Sequence, residues 1–230
     1  MNNQQQIKRL SNAINRMLEF PEVQQVLEAK KQEAIRLRAY NDFIWRALLN
    51  SFSTLGDSTG YDRLITNQDN YNRVKYEALK PLIEEERYEV LRQTLCDASI
   101  RFYLRKSRWL TNNYNLIKEQ GGCEVVKEKL LSQDGRDNKI DFLKQFHGIG
   151  NKYSRNIMMD IYHPEFHQSI AIDSRLEDVL KELGLPEKNY EIGEQFFLDI
   201  AKECHVDGWT IDRILYNFKG NVLTILKSIE

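Results

Sequence analysis

Most residues of this 230-residue chain whose types and spacing could do chemistry fall between Phe142 and Leu176, FLKQFHGIGNKYSRNIMMDIYHPEFHQSIAIDSRL. Gly148-Ile149-Gly150 sets an aliphatic residue between two glycines, which permits a tight turn with Ile149 tucked into the core beneath it. The bare backbone of such a turn lets another molecule approach closely. A short helix is expected to end at Phe146. A second, with Tyr153, Ile157 and Ile161 on one face, is expected to begin directly after the turn. Its unpaired N–H groups and positive dipole end then mark a place for a phosphate that needs no particular side chain. Asn151 and Lys152 stand at that helix start. His147 could reach a phosphate or simply cap the helix before it. Asp173 precedes Leu176, Val179, Leu180 and Leu183, an i, i+3, i+4, i+7 pattern, and Asp is among the best residues to cap such a helix. His163 and His167 are four apart, which would suit a metal on a helix. Pro164 lies between them and interrupts the helix, so no metal site is expected.

The elements that must position these residues read as helices. Ile100, Tyr103, Leu104, Ser107, Leu110 and Ile117 fall near a 3.6-residue stripe. Pro21, Pro81, Pro164 and Pro186 all sit between such stretches. Ile170-Ala171-Ile172 suits a short extended piece but is too short for a sheet. The expectation is an all-α fold of roughly ten to twelve helices. Hydrophobic residues make up 41% and charged residues 29%, an ordinary globular balance. No stretch approaches the ~18 apolar residues of a membrane span. Met1 to Leu10 is polar and unlike a secretory signal, so the protein is expected to act where it is made. Cys96, Cys123 and Cys204 form no CxxC pair and cannot complete a four-thiolate site, and reduced, buried thiols are expected. Net charge is −1, yet residues 101–160 carry 12 Lys and Arg against 7 Asp and Glu. Charge is therefore segregated along the chain, and a one-sided basic surface is possible.

The segment as a whole resembles the helix-hairpin-helix DNA glycosylase superfamily. That family's hairpin reads apolar-x-Gly-apolar-Gly-x-Lys, and an apolar-apolar-Asp segment follows about twenty residues later. Here Phe146 to Lys152 supplies the first part and Ala171-Ile172-Asp173 the second, with Asp173 21 residues after Lys152. The family often has Pro at the place of His147 and Ala at that of Ser154. The match covers about 35 residues, and Arg101 to Trp109 is similar to an Arg/aromatic helix of archaeal-type 8-oxoguanine glycosylases. The resemblance implies that Lys152 is a nucleophile attacking deoxyribose C1′ to form an imine, from which loss of the C2′ proton nicks the strand. An amine attacks only when unprotonated, so the site must depress its pKa, and Arg155 one turn on could help. Asp173 would accept the lysine's proton and stabilise charge on the sugar, or serve only as a helix cap.

Such chemistry requires the nucleotide to be flipped out and the gap to be filled by a wedge. Leu55 and Tyr61, in the segment Ser51 to Tyr61, are the wedge candidates, with a plain surface loop as the alternative. Trp209, three residues before Asp212, is a candidate to stack on the flipped base, with a core tryptophan as the alternative; Tyr216 and Phe218 are further candidates. DNA contacts would come from His147, Gly148, Ile149, Gly150, Asn151 and Arg155. No cofactor is implied apart from a structural monovalent cation on the hairpin's carbonyls. Two lobes with the hairpin at a cleft are implied, one of residues 40–162 and one of residues 1–39 plus 163–230. The implied protein is a monomeric base-excision repair glycosylase/lyase acting on double-stranded DNA, in a prokaryotic cytoplasm or a eukaryotic nucleus, with 8-oxoguanine ahead of oxidised pyrimidines as substrate. The rivals are a non-catalytic hairpin DNA-binding module, in which Lys152 merely contacts phosphate, and a helical adaptor unrelated to nucleic acid.

Overall fold

A computed structural model describes residues 3–56, 59–185 and 189–228, and among these every regular element is helical. In chain order the helices are α1 (Asn3–Leu18), α2 (Pro21–Ala39), α3 (Phe43–Thr54), α4 (Gln68–Val74), α5 (Tyr76–Leu79), α6 (Glu84–Asp97), α7 (Tyr103–Glu119), α8 (Cys123–Leu131), α9 (Gly135–Lys144), α10 (Asn151–Asp160), α11 (Ser174–Glu182), α12 (Tyr190–Glu203) and α13 (Gly208–Ser228). The excess over the expected number comes from α4 and α5, one- and two-turn pieces too short to show a periodic stripe. A π-helical turn spans Asp62–Thr66 and a 3-10 turn Pro164–Phe166. Pro186 lies outside the described residues, as do Asp57 and Ser58 of the expected wedge loop.

The helices group into two units. One comprises residues 39–150, and the other joins residues 1–38 to residues 151–230. The division falls inside the hairpin, between Gly150 and Asn151, so α10 groups with the chain's two ends and not with the central helices.

In the central unit, α7 packs along α6. Its buried stripe runs through Ser107, Leu110, Tyr114 and Ile117, while Leu104, in the first turn, is half exposed. The aromatic centre is Trp45, whose indole N–H donates to the Val74 carbonyl at 2.7 Å and whose ring meets Tyr114 edge-on. In the other unit, α1 packs on α12 and α13, and α11 on α13. Leu176, Val179, Leu180 and Leu183 are all buried, as their spacing predicts. Helix α13 is bent at Phe218, where φ is −127° and ψ 24°. Cys123 and Cys204 are buried, but Cys96 is exposed, on the solvent side of α6 near its end.

Candidate active site

The two glycines of the turn between α9 and α10 stand in different circumstances. Gly148 has φ +82°, and a Cβ there would lie 2.7 Å from Trp109 Cε3 and 2.8 Å from Phe52 Cε1, so only glycine fits. Gly150 lies outside the left-handed region, and a Cβ there would meet open space. Ile149 between them is buried, and its N–H donates to the Phe146 carbonyl at 3.1 Å. Any contact that Ile149 makes with a ligand would therefore come from its backbone. Buried Asn113 of α7 clamps the turn: its Nδ2 donates to the His147 carbonyl at 3.1 Å, and its Oδ1 accepts from the His147 N–H at 2.8 Å. The sequence signals Asn113 only as a polar residue at i+3 from Leu110 on a buried stripe. His147, Gly148 and Gly150 are exposed and Asn151 is half-buried.

Lys152, the second residue of α10, is half-buried, with Nζ 4.7 Å from the centroid of the Tyr153 ring. Burial pushes its amine below the ordinary lysine range. The Asp173 carboxylate is the main opposing influence, with Asp212 and Asp160 on the same side, and the Arg175 guanidinium acts with burial. Asp173 caps α11: Oδ1 accepts from the Arg175 and Leu176 N–H groups at 2.9 and 3.3 Å, and Arg175 Nη1 lies 3.3 Å from Oδ2. Capping fixes the carboxylate's direction without removing it from reach of the amine's field.

The extended run that carries Asp173 has no partner strand, so its backbone groups are satisfied by side chains. The Ile170 N–H donates to Glu194 Oε1 at 3.1 Å, the Ala171 N–H to Asp212 Oδ1 at 2.8 Å, and the Ile172 N–H to the Tyr190 hydroxyl at 3.1 Å. That hydroxyl donates in turn to the Ile170 carbonyl at 2.9 Å. Asp212 is buried, and desolvation lifts its carboxyl to about 6 despite Arg213, whose Nη1 lies 3.7 Å away.

Three sequence expectations need correction. Arg155 is neither a phosphate contact nor the cation beside Lys152. Its guanidinium is buried against Glu194 at 3.0–3.1 Å, and Arg175 holds the place expected of it. Trp209 is a core residue, 1% exposed, whose indole N–H donates to the Met159 carbonyl at 2.9 Å; it presents no face on which a base could stack. Asp212 is consumed by the Ala171 N–H and lines no open surface. By contrast Tyr216, one turn further along α13, is 41% exposed, and the Arg175 guanidinium lies 4.1 Å from its ring centroid. Phe218 is half-buried at the bend. His163 Nδ1 accepts from the Glu165 N–H at 3.3 Å, and the His167 ring stacks on Tyr162 at 4.1 Å.

In the central unit Leu55 is half-buried at the end of α3, its carbonyl accepting from buried Lys106 Nζ at 2.7 Å, and Tyr61 is half-buried before the π turn. Sequence reasoning missed Phe102. Four non-glycine residues have positive φ among those described. Ser99, Tyr162 and His205 follow helix ends, where a left-handed residue closes the last turn. Phe102 does not: it precedes α7 with φ 60°, is half exposed, and carries the Arg101 and Arg105 guanidiniums at 5.0 and 5.2 Å from its ring. A bulky side chain is uncommon in this region of backbone space.

No family model matches the sequence, and no curated protein is significantly similar to it. Its fold does have counterparts among solved structures. The Methanocaldococcus jannaschii 8-oxoguanine glycosylase/lyase in complex with a 15mer DNA containing 8-oxoguanine superposes with a TM-score of 0.66 at 17% identity, over 93% of this chain and 97% of that one. A second structure of the M. jannaschii 8-oxoguanine DNA glycosylase gives 0.62 at 18% identity, over 94% and 96%. The 8-oxoguanine DNA glycosylase of Thermotoga maritima gives 0.61 at 17%, again over 94% and 96%. At these identities the likeness is one of fold: the chain has the all-α architecture of these three structures over nearly its whole length.

Proposed function

We propose that this chain is a DNA glycosylase and abasic-site lyase of base-excision repair, with an oxidised purine, 8-oxoguanine first, as its substrate. The observation that carries the reading is a lysine at the start of the hairpin helix, half-buried, with an amine depressed by that burial and the carboxylate of Asp173 acting on it. A lysine that merely touched phosphate would be held protonated in solvent. The fold shared with three 8-oxoguanine glycosylase structures, one of them DNA-bound, supports the substrate class.

In this reading the exposed backbone of the hairpin and the N-terminus of α10 receive the DNA backbone. Neutral Lys152 attacks C1′ of the flipped nucleotide, and the base leaves with the bonding electrons and takes up a proton. Ring opening gives a protonated imine, and loss of the C2′ proton expels the 3′ phosphate. Asp173 accepts the proton the amine sheds and faces the cationic sugar. Tyr216, beside the Arg175 that pairs with Asp173, takes the stacking role expected of Trp209. For the wedge that fills the gap in the duplex, the exposed Phe102, flanked by two guanidiniums, joins Leu55 and Tyr61 as a candidate. A monovalent cation of the kind the resemblance implies would be held by the hairpin's backbone carbonyls.

Borohydride trapping tests the proposal. Wild type should be captured covalently on a duplex with one abasic site, and Lys152→Gln should bind that duplex without capture. A panel of duplexes with single defined lesions then reads the base preference. Binding without capture by wild type would make the chain a hairpin DNA-binding module, and no binding at low salt would remove nucleic acid from its function.

A further inference from the structure

Helix α10, which carries Lys152, and the run that carries Asp173 are separate pieces of chain, yet one buried carboxylate holds both. Glu194 of α12 accepts Arg155 Nε at 3.1 Å on each oxygen and Arg155 Nη2 at 3.0 Å on Oε2, both side chains being less than a tenth exposed. Arg155 Nη1 donates to the carbonyl of Asn151, the residue directly before Lys152, at 3.1 Å. The same Glu194 Oε1 accepts the Ile170 N–H at 3.1 Å, three residues before Asp173. Tyr190, one turn earlier on α12, completes the seat. Its ring lies 4.5 Å from the Arg155 guanidinium, and its hydroxyl bonds both Ile170 and Ile172. A buried ion pair is a poor device for stability alone, because desolvation offsets its attraction. As a device for fixing two chain segments against each other it has value, since a misplacement of about 1 Å at a reacting centre costs about 10²-fold.

We infer that Glu194, acting through Arg155 and the Ile170 N–H, is a positioning residue that sets the amine of Lys152 against the carboxylate of Asp173. The inference rests on the proposed lysine chemistry for its kinetic consequence, but not for its effect on the amine's protonation. If the clasp is released, Lys152 gains solvent and its titration moves back toward that of an ordinary lysine.

The test uses the full chain in three forms: wild type, Glu194→Gln, and the double variant Arg155→Met with Glu194→Gln. The double variant removes both charges and keeps the fold in reach if the single one fails to fold. Val222→Ala, in the core of α13, serves as a control that is destabilised without touching the clasp. Reductive methylation with formaldehyde and cyanoborohydride, followed by mass spectrometry of the Lys152 peptide, gives the pH midpoint of that amine without DNA. The midpoint should rise toward that of an ordinary lysine in the clasp variants and stay at the wild-type value in Val222→Ala. On a duplex with one abasic site the imine-trapping rate should fall about 10–100-fold in the clasp variants while the binding constant stays within about twofold. A wild-type midpoint in a folded clasp variant overturns the inference, whatever the DNA results. So does a trapping loss no larger than that of Val222→Ala. If wild type itself forms no imine, the lyase reading fails, and the midpoint alone decides the role of Glu194.

Discussion

Lys152 carries the proposed chemistry, and its environment makes a quantitative demand. Burial outweighs the three carboxylates that would keep the amine charged, so the neutral form should appear below the ordinary midpoint of about 10.4. The single-turnover rate of imine formation should therefore climb with pH and level off with a midpoint under that value; a midpoint at or above it would place the amine in solvent. Asp173 can be separated into its two duties because Asn caps helices as well as Asp. Asp173→Asn should keep stability within about 0.5 kcal/mol and lower the trapping rate by about 10² or more. Asp212 gives a signed pH test. Its folded carboxyl titrates at about 6, above the unfolded value of about 3.9, so the folded state binds the extra proton. Its neutral form favours folding at low pH, and that contribution is lost as pH rises through this window. Relative to Asp212→Asn, wild type should lose on the order of 2 kcal/mol between pH 4 and pH 7 in denaturant titrations.

At the scale of elements the hairpin separates fold from binding. Gly148→Ala forces a left-handed alanine into two aromatic rings and should cost about 2–4 kcal/mol. Gly150→Ala adds a methyl in open space. Stability should stay within about 0.5 kcal/mol, while duplex affinity falls about tenfold if the bare backbone is where DNA approaches. Equal stability losses in the two variants would remove that division. The lead-in to α7 trades in the opposite direction. Phe102→Gly relieves a left-handed aromatic and should gain about 1 kcal/mol, while activity on a duplex lesion drops and activity on a single-stranded abasic site survives. Loss on both substrates, or on neither, would exclude a wedge.

For the molecule as a whole, charge distribution matters more than charge sum. A net charge of −1 gives little general attraction to DNA, so affinity should come from a limited set of phosphate contacts and fall steeply with salt. Arg105, exposed and beside the rings of Phe102 and Trp109, is the residue proposed for one such contact. Arg105→Gln should reduce the slope of log affinity against log salt by about 0.9, which anisotropy titrations at several salt concentrations would read. Buried Arg155 should leave that slope unchanged.

Much of this was legible in the chain itself. Helix periodicity, the Gly148 to Lys152 turn with Ile149 beneath it, and the cap at Asp173 are local matters, set by side-chain spacing and backbone geometry within a few residues. Partners distant in sequence were not legible. Nothing local distinguishes Trp209 in the core from an exposed stacking ring, and nothing local says that Arg155 meets Glu194 while Arg175 stands near Lys152. Asn113 looks like any polar residue on a helix until His147 folds against it. The left-handed backbone of Phe102 has no signature of its own in the sequence. Periodicity decided which residues form helices; burial and long-range pairing decided which of their polar side chains remain available for chemistry.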